Sequence, residues 1–281
     1  MTDSTNERLN DPIRFESIKF AAITGVCGGI GAALMRGLLR KGYQVIGVDI
    51  DRKKLDEFQR TYGERFHPFE ADLSQRSLRK AVCEEIRQIH GVPRIWINNA
   101  GVAHIDAFLD TEEAVFDRVL ELNLNATIDL TRFWLREMKA VSRGTLVNIA
   151  SCAGHIAAPH LSAYSVSKHG VVGLTESIQQ ELKFEHSKVK MVLVSPGFVN
   201  TDIIKLGQEK GFPPILSFIP ESPEACAQEI IEGVLRGRAF IAPTFNGKLL
   251  LGMNRLSPEI CKASSHLLIA PQLKSLFGFL D

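Results

Sequence analysis

Two side chains at helical spacing, Tyr164 and Lys168 of the segment Tyr-Ser-Val-Ser-Lys, have the chemistry for proton transfer. Residues four apart share one face of a helix, so the phenol and the ammonium would be neighbours. A free tyrosine has a pKa near ~10, but an adjacent cation stabilises the phenolate and lowers that pKa. The pair therefore predicts an acid/base tyrosine. A surface tyrosine and lysine that share a helix by chance are the alternative interpretation.

A glycine-rich turn follows the first apolar run, in the segment Thr-Gly-Val-Cys-Gly-Gly-Ile-Gly that ends at Gly31. Gly25 directly follows the first predicted strand, where a Cβ would obstruct a sharp reversal of the chain. Gly29 and Gly31 lie where the next helix starts, and the N–H groups and dipole of a helix start attract a pyrophosphate. Gly28, an extra glycine, and Ile30 belong to the same predicted cofactor site. The turn predicts dinucleotide binding, and a loop whose glycines serve only tight packing is the alternative.

An acidic residue, Asp49, ends the second predicted strand. In dinucleotide-binding folds a carboxylate about 20 residues beyond the glycines hydrogen-bonds the adenosine ribose. A carboxylate at this position would repel a 2′-phosphate, so the sequence favours NAD over NADP. The basic residues Arg52, Lys53 and Lys54 follow closely and could weaken that preference, although a solvated first helical turn explains them better.

Polar and small residues also follow the third and fourth predicted strands. Asp72 and Leu73 follow the third strand, and the Asp72 carboxylate could reach the adenine edge. The fourth strand closes with a run that offers small residues and amides beside a cofactor: Asn98, Asn99, Ala100 and Gly101. Parallel sheets bind ligands at the carboxyl ends of their strands, so the order of these segments supports one shared site.

The elements that would position these residues alternate between short β-rich runs and helical patterns. The predicted strands are Ile18–Thr24, Gln44–Ile50, Arg65–Phe69, Arg94–Asn98, Thr145–Ala150, Val189–Ser195 and Ala239–Ala242. The predicted helices lie near Gly31–Lys41, Arg52–Thr61, Ser74–His90, Thr111–Val141, Ala163–Glu185 and Pro223–Arg236. Continuous apolar strands indicate helices on both faces of the sheet. We therefore expect an α/β fold, a Rossmann-like doubly wound parallel sheet of about seven strands flanked by helices, in a single domain.

Composition excludes several classes of function. The 281 residues are 45% hydrophobic and carry a net charge of +1, so no global field favours nucleic acid. The five cysteines are scattered and odd in number, which favours a reducing compartment, and we expect a cytoplasmic protein. The histidines lack metal-ligand spacing, so no metal site is expected. The N-terminus shows no secretory signal pattern, and no apolar run approaches the ~18 residues of a membrane span.

Ser151, at the end of the fifth predicted strand, connects these motifs. With the glycine turn, the strand-end aspartate, Asn-Asn-Ala-Gly, Tyr-x-x-x-Lys and Pro196-Gly197, it makes the sequence resemble the classical short-chain dehydrogenase/reductase family from roughly Ile18 to Ala242. The resemblance implies hydride transfer between a carbinol carbon and nicotinamide C4, with Tyr164 as general acid/base. It implies that Ser151 holds and polarises the substrate oxygen, and that Lys168 binds the nicotinamide ribose and lowers the tyrosine pKa.

The same resemblance assigns roles outside this trio. Asn123 matches an asparagine that positions a relay water near the lysine. The segment Pro196-Gly-Phe-Val-Asn-Thr matches a loop that contacts the nicotinamide carboxamide, with Pro196, Gly197, Val199 and Thr201 as contacts. Gly28 stands where the family often has a serine or a basic residue, which further disfavours NADP. Cys152 follows the serine and is interpreted as a small buried hydrophobic residue rather than a reactive thiol.

Three regions of the chain are expected. Residues 1–17 are a polar, flexible N-terminal extension. Residues 18–243 form the catalytic domain, whose apolar segment 202–221 is a lid by resemblance and suggests a hydrophobic steroid-, lipid- or aromatic-like substrate. A lid that simply packs on the body is the alternative. Residues 244–281 are an amphipathic extension that packs on the domain or a partner subunit, or alternatively lies on a membrane surface. A homodimer or homotetramer is expected by resemblance only.

Two other functions compete with an NAD-dependent alcohol dehydrogenase or ketone reductase. A non-catalytic nucleotide-sensing or scaffold protein could use the same fold, but it would not need the set of Asn123, Ser151, Tyr164 and Lys168. A sugar-nucleotide epimerase or dehydratase shares Tyr-x-x-x-Lys, but those proteins usually carry G-x-x-G-x-x-G and a larger C-terminal substrate domain.

Overall fold

The structure is a computed structural model that describes residues 19–201 and 221–259. The predicted N-terminal extension, nearly all of the predicted lid and the distal part of the C-terminal extension lie outside the described residues. Among the described helices, none combines the length and the apolar character that crossing a membrane requires.

One parallel sheet of seven strands forms the centre of the fold, in the order β3-β2-β1-β4-β5-β6-β7. The strands are β1 Phe20–Thr24, β2 Gln44–Asp49, β3 Phe66–Glu70, β4 Ile95–Asn98, β5 Thr145–Ile149, β6 Lys190–Val194 and β7 Phe240–Ile241. The strand order reverses between β1 and β4, and this switch point is where open α/β sheets bind ligands. The predicted fold class is confirmed.

Helices cover both faces of the sheet. They are α1 Gly29–Arg40, α2 Arg52–Tyr62, α3 Arg76–His90, α4 Glu113–Leu120, α5 Ala126–Ala140, α6 Ser162–Phe184, α7 Pro223–Leu235 and α8 Phe245–Leu256. Alternate residues of each strand point to opposite faces, so β1 sends Ile23 into one apolar layer with Leu34 of α1 and Ile230 of α7. It sends Ala22 into the other layer, where Trp96 stacks on Trp134 of α5 at 4.6 Å between ring centroids.

Two helical regions differ from the sequence prediction. The single helix predicted over Thr111–Val141 contains a five-residue π-helical segment, Glu121–Asn125, between α4 and α5. Such segments frequently occur at functional sites, and this one carries Asn123. In the predicted extension beyond Ala242, the chain forms α8, whose start is capped because Oγ1 of Thr244 accepts a hydrogen bond from Gly247 N at 3.1 Å.

Candidate active site

The glycine turn lies between β1 and α1, and packing within the protein itself requires two of its glycines. Gly25 has a φ of +64°, and a Cβ on it would lie 2.8 Å from the Ala100 Cα. A Cβ on Gly31 would overlap the carbonyl oxygen of Gly25. The alternative interpretation of the turn, tight packing, therefore accounts for Gly25 and Gly31 without any ligand.

Gly28 and Gly29 carry the stronger indication of an anion site. Both are exposed, and α1 begins at Gly29 with no side-chain cap on its N–H groups and no acidic residue in its first turn. A Cβ on Gly28 would meet only the Gly25 carbonyl oxygen, at 3.5 Å, so the described protein does not need glycine there. Uncapped N–H groups at the positive end of a helix dipole suit a pyrophosphate, so these residues fit the expected cofactor.

Asp49 lies beside this turn, as its sequence position predicts. Its carboxylate accepts hydrogen bonds from Cys27 N at 2.8 Å and Asp51 N at 3.1 Å. Burial and the Asp49 charge raise the pKa of the Cys27 thiol to about 12, so this thiol is not reactive at neutral pH. Arg52 pairs with Asp56 and Lys54 with Asp51, which supports the interpretation of the basic run as a solvated helical turn.

The Asn-Asn-Ala-Gly segment, at the end of the neighbouring strand β4, positions the glycine turn. Thr24 Oγ1 accepts hydrogen bonds from the N–H groups of Asn99 and Ala100, both at 3.0 Å. The Asn99 side chain donates to the carbonyl oxygens of Thr24 and Gly25 at 3.0 and 3.1 Å. The Asn99 side-chain amide thus holds the shape of the glycine turn.

Asn98 and Asp72 are the two remaining polar residues of these strand ends. Asn98 was expected beside the cofactor, but it is 4% exposed and hydrogen-bonds Trp96 and Asn148, so it joins β4 to β5 within the core. Asp72 follows β3, and hydrogen bonds from Ser74 hold the pKa of its carboxyl below the usual range. Leu73 is buried in the core.

Ser151, Tyr164 and Lys168 meet at the carboxyl end of β5. The Ser151 side chain interacts with the Tyr164 hydroxyl, and this interaction acts to lower the tyrosine pKa. Tyr164 lies in the first turn of α6, and Lys168 follows one turn later with its Nζ 5.7 Å from the tyrosine ring centre. That Nζ is buried and donates to the Ile149 carbonyl oxygen at 2.9 Å. The phenol and the ammonium therefore lie on one helix face, as their spacing predicts, and the serine hydroxyl completes the cluster.

Burial dominates the ionisation of this cluster. It lowers the pKa of Lys168 to about 8, and it raises the pKa of Tyr164 despite the opposing hydrogen bond from Ser151. The resemblance to the family predicts that Lys168 lowers the pKa of Tyr164. In the protein alone the net shift has the opposite sign, because loss of hydration disfavours both charged forms. Tyr164 is therefore protonated at neutral pH and can act as a proton donor.

Asn123 approaches the cluster from the π-helical segment. Its side chain pairs with both backbone groups of Val102 at 2.8 Å and donates to Ser167 Oγ at 3.1 Å. A Cβ on Gly101 would lie 3.0 Å from Asn123 Oδ1 and 3.6 Å from Lys168 Nζ, so this glycine allows the close approach. The side chain of Asn123 thus fixes the segment after β4 next to Lys168.

The segment from Pro196 to Thr201 spans the two halves of the site. The Pro196 carbonyl oxygen accepts a hydrogen bond from Cys152 N at 2.8 Å, beside Ser151. At the other end, a Cβ on Gly29 would lie 3.0 Å from Thr201 Cγ2. Val199 is buried and bridges to Glu221. The structure therefore brings this predicted nicotinamide loop between the serine and the glycine turn.

Three further residues hold this arrangement in place, and the sequence patterns above do not mark them. Arg79 of α3 is 2% exposed, and Thr244 and Asn246 at the start of α8 are also buried. A charged residue in an amphipathic helix is normally expected on the solvent-exposed face, so the sequence pattern did not indicate that Arg79 is buried. A threonine directly before a helical pattern is an N-cap signal, which could have marked Thr244. Within the described ranges, no group of three or more His, Cys, Asp or Glu side chains could hold a metal ion.

Comparison with known proteins gives consistent matches. The family model for short chain dehydrogenase matches residues 19–210. Over 241 residues the chain is 28% identical to mouse estradiol 17-beta-dehydrogenase 11, which covers 84% of this chain and 79% of that protein. It is 26% identical to the probable oxidoreductase EphD of Mycobacterium bovis, with 88% of this chain matched but only 44% of the relative, so the chain spans less than half of that relative's length.

Two solved structures share the fold. A short-chain dehydrogenase/reductase from Burkholderia phymatum in complex with NAD superimposes with a TM-score of 0.77 at 22% identity, covering 86% of this chain and 95% of its own. ElxO with NADP bound gives a TM-score of 0.71 at 24% identity, covering 80% and 95%. One neighbour holds NAD and the other NADP, so these likenesses do not distinguish the two cofactors.

Proposed function

Because this chain belongs to the short-chain dehydrogenase family, we propose that it is an oxidoreductase that interconverts a secondary alcohol and a ketone with a nicotinamide cofactor. The observation that carries the proposal is the cluster of Ser151, Tyr164 and Lys168 at the carboxyl end of β5. It unites a proton donor, a hydroxyl that can hold a substrate oxygen and a buried ammonium.

In the proposed reaction each side chain of the cluster has a separate task. Ser151 hydrogen-bonds and orients the substrate oxygen, while Tyr164 gives a proton to that oxygen during ketone reduction and takes it back during alcohol oxidation. The raised pKa of Tyr164 favours the proton-donating role at neutral pH. Lys168 places a positive charge beneath the tyrosine ring while its own amine is protonated. The bound nicotinamide would supply the hydride chemistry.

The cofactor would lie across the switch point of the sheet. The N–H groups at the start of α1 would hold the pyrophosphate, Asp49 the adenosine ribose, and the Pro196–Thr201 loop the nicotinamide end. We propose NAD as the preferred cofactor, because a carboxylate fixed beside the turn repels a 2′-phosphate and Gly28 offers no side chain to bind one. Parallel fluorescence titrations with NADH and NADPH test this preference, and tighter NADPH binding would refute it.

We propose a hydrophobic substrate. The segment that follows Gly101 presents three exposed apolar side chains, Val102, Phe108 and Leu109. Val102 is hydrogen-bonded to Asn123, so this apolar segment begins beside the catalytic cluster. The relationship to a mouse protein named for estradiol is consistent with a ligand of that character.

The test of the proposed function combines a substrate screen with one substitution. Steroid, fatty-acyl and aromatic alcohols and ketones are screened for changes in NADH absorbance, and the best substrate is used to assay Tyr164→Phe. The variant lacks only the hydroxyl, so we expect at least ~10³-fold slower turnover and unchanged NADH binding. Retained turnover, or loss of NADH binding instead, would contradict the role of Tyr164.

A further inference from the structure

Two buried polar side chains lie at the start of α8, and both bind the backbone of the proposed nicotinamide loop. Thr244 is fully buried and Asn246 is 5% exposed. Oγ1 of Thr244 accepts a hydrogen bond from Gly197 N at 2.9 Å. The Asn246 side chain accepts from Phe198 N at 2.9 Å and donates to the Phe198 carbonyl oxygen at 3.1 Å. Buried polar groups need partners, and here each group satisfies the other.

The Asn246 side-chain amide supplies the loop with the backbone hydrogen bonds that a neighbouring strand would otherwise supply. The pairing of β6 with β7 ends where Ser195 N donates to the Ile241 carbonyl oxygen at 2.9 Å. Beyond Ser195 the chain leaves the sheet, and its backbone groups need other partners. One side-chain amide binds both the N–H and the carbonyl oxygen of Phe198, so it holds the two peptide groups that flank this residue in one orientation.

Packing at this junction leaves little freedom for the loop. A Cβ on Gly197 would overlap Oδ1 of Asn246, and a Cβ on Gly247 would lie 2.9 Å from Gly197 N. The Cys152 thiol lies against the carbonyl oxygens of Ser195 and Gly247, at 3.9 and 3.8 Å. The start of α8 is therefore packed against both the loop and the residue that follows the catalytic serine.

We propose that Thr244 and Asn246 are positioning residues of the active site, and that α8 sets the orientation of the Gly197–Phe198 segment for cofactor binding. These two residues form the clamp. They lie beyond residue 210, where the match to the family model ends. The inference rests on the proposed function, because it takes the clamped loop as the nicotinamide-facing one.

The chain supplies a matched control for the clamp on the same helix. Asn254 of α8 donates to the His155 carbonyl oxygen at 3.3 Å, so it ties α8 to a different segment. Asn246→Ala and Asn254→Ala remove the same group from one helix, and only the first removes a contact with the loop. Thr244→Val removes the hydroxyl at nearly constant shape, whereas Thr244→Ser keeps it.

Amide hydrogen exchange in the cofactor-free protein tests the clamp without reference to catalysis. We expect about tenfold faster exchange at the Phe198 amide in Asn246→Ala and at the Gly197 amide in Thr244→Val, because each amide loses its acceptor. Asn254→Ala and Thr244→Ser should exchange like the parent protein at both amides. Unchanged exchange in Asn246→Ala and Thr244→Val, or equal acceleration in Asn254→Ala, would overturn the proposal.

NADH titration then tests the consequence for the site. We expect Asn246→Ala and Thr244→Val to bind NADH about tenfold more weakly, with near-parental binding in Thr244→Ser and Asn254→Ala. Parental affinity in the first two variants would overturn the positioning role while leaving the proposed function intact. Failure of the parent protein to bind NADH or NADPH would instead refute the proposed function, and the exchange experiment would still decide whether the clamp exists.

Discussion

The carboxyl edge of the sheet has two halves that present their chemistry in different ways. Around β1 and β2 the groups are mainly backbone: N–H groups at the start of α1, shaped by Gly25 and Gly31, with one carboxylate from Asp49 beside them. Around β5 they are side chains: the hydroxyls of Ser151 and Tyr164 and the ammonium of Lys168. The shape of the first half depends on how closely the backbone segments can pack against each other. The ionisation of the second half depends on the burial of its side chains.

This difference predicts how the halves respond to substitution. A change at Gly25 or Gly31 of the first half should act on folding, because its cost comes from overlap with the protein's own backbone. A change at a side chain of the second half should act on chemistry, and removing a buried charge there should even stabilise the fold.

The largest effect is expected for Gly31→Ala in the backbone-built half. The new Cβ would overlap the Gly25 carbonyl oxygen and lie 2.9 Å from the Val26 Cα, so backbone must move. We expect a loss of at least ~4 kcal/mol in the free energy of unfolding, measured by urea denaturation. Gly28→Ala is the control and should cost at most ~1 kcal/mol, because its Cβ meets only one atom at 3.5 Å. Equal losses in both variants would contradict the assignment.

Arg79 joins the segment that follows β3 to the π-helical segment that carries Asn123, and its loss should have the next largest effect. Its guanidinium binds the Leu73 carbonyl oxygen at 2.7 Å and the Asp129 carboxylate at 3.0 Å, and it also binds Glu121 at the start of the π-helical segment. Arg79→Met leaves these acceptors without their cation, and we expect a loss of about 3 kcal/mol in the free energy of unfolding.

Arg76→Met is the matched control for Arg79. Arg76 lies 3.7 Å from the same Asp129 carboxylate, but its side chain is 81% exposed, so we expect a change below ~0.5 kcal/mol. Equal losses of unfolding free energy in the two variants, measured by urea denaturation, would show that burial does not explain the contribution of Arg79 to stability.

Lys168→Met should stabilise the protein while it abolishes turnover. Burial lowers the pKa of Lys168 from 10.5 to about 8, so below pH 8 the folded protein carries an unfavourable charge. Between those values the unfolded chain binds more protons, and the stability of the parent protein should rise with pH. We expect Lys168→Met to gain about 1–3 kcal/mol at pH 7 and to lose this rise. A less stable variant at pH 7 would show that the hydrogen bond to Ile149 outweighs the buried charge.

The smallest effect concerns the opposite edge of the sheet, which provides a reference for burial without catalysis. There the rings of His67 and His90 lie 4.4 Å apart between centroids, tilted by 58°, beside Phe20. Burial lowers the pKa of His90 from 6.5 to about 4. Between pH 6.5 and pH 4 the unfolded chain binds more protons at this residue, so stability should fall as the pH falls.

His90→Phe keeps an aromatic ring in that cluster and removes the titration. We expect a change below ~1 kcal/mol at pH 7 and a smaller loss of stability between pH 7 and pH 5, measured by urea denaturation. The exposed His186→Asn is the control and should keep the parental pH dependence. An unchanged acid loss in His90→Phe would contradict the assignment to His90.

The elements, and the clustering of the predicted site residues, were predictable because their signals are local. Strands read as apolar runs, Tyr164 and Lys168 share a helix face through their spacing, and parallel strands must end at one edge. The break of the predicted helix over Thr111–Val141 was not predictable, because the contact of Arg79 with Glu121 that accompanies it comes from another element. The role of Asn99 also depends on a partner distant in sequence, the carbonyl oxygen of Gly25.

The sequence by itself determined the fold class, the order of the site segments and the residue types at the strand ends, because periodicity and spacing are properties of the chain. Only the tertiary structure decided which glycines the packing requires and in which direction the Tyr164 pKa shifts. It also decided that Thr244 and Asn246 bind the Gly197–Phe198 segment. These depend on burial and on contacts between residues 47 or 48 positions apart, which no local pattern encodes.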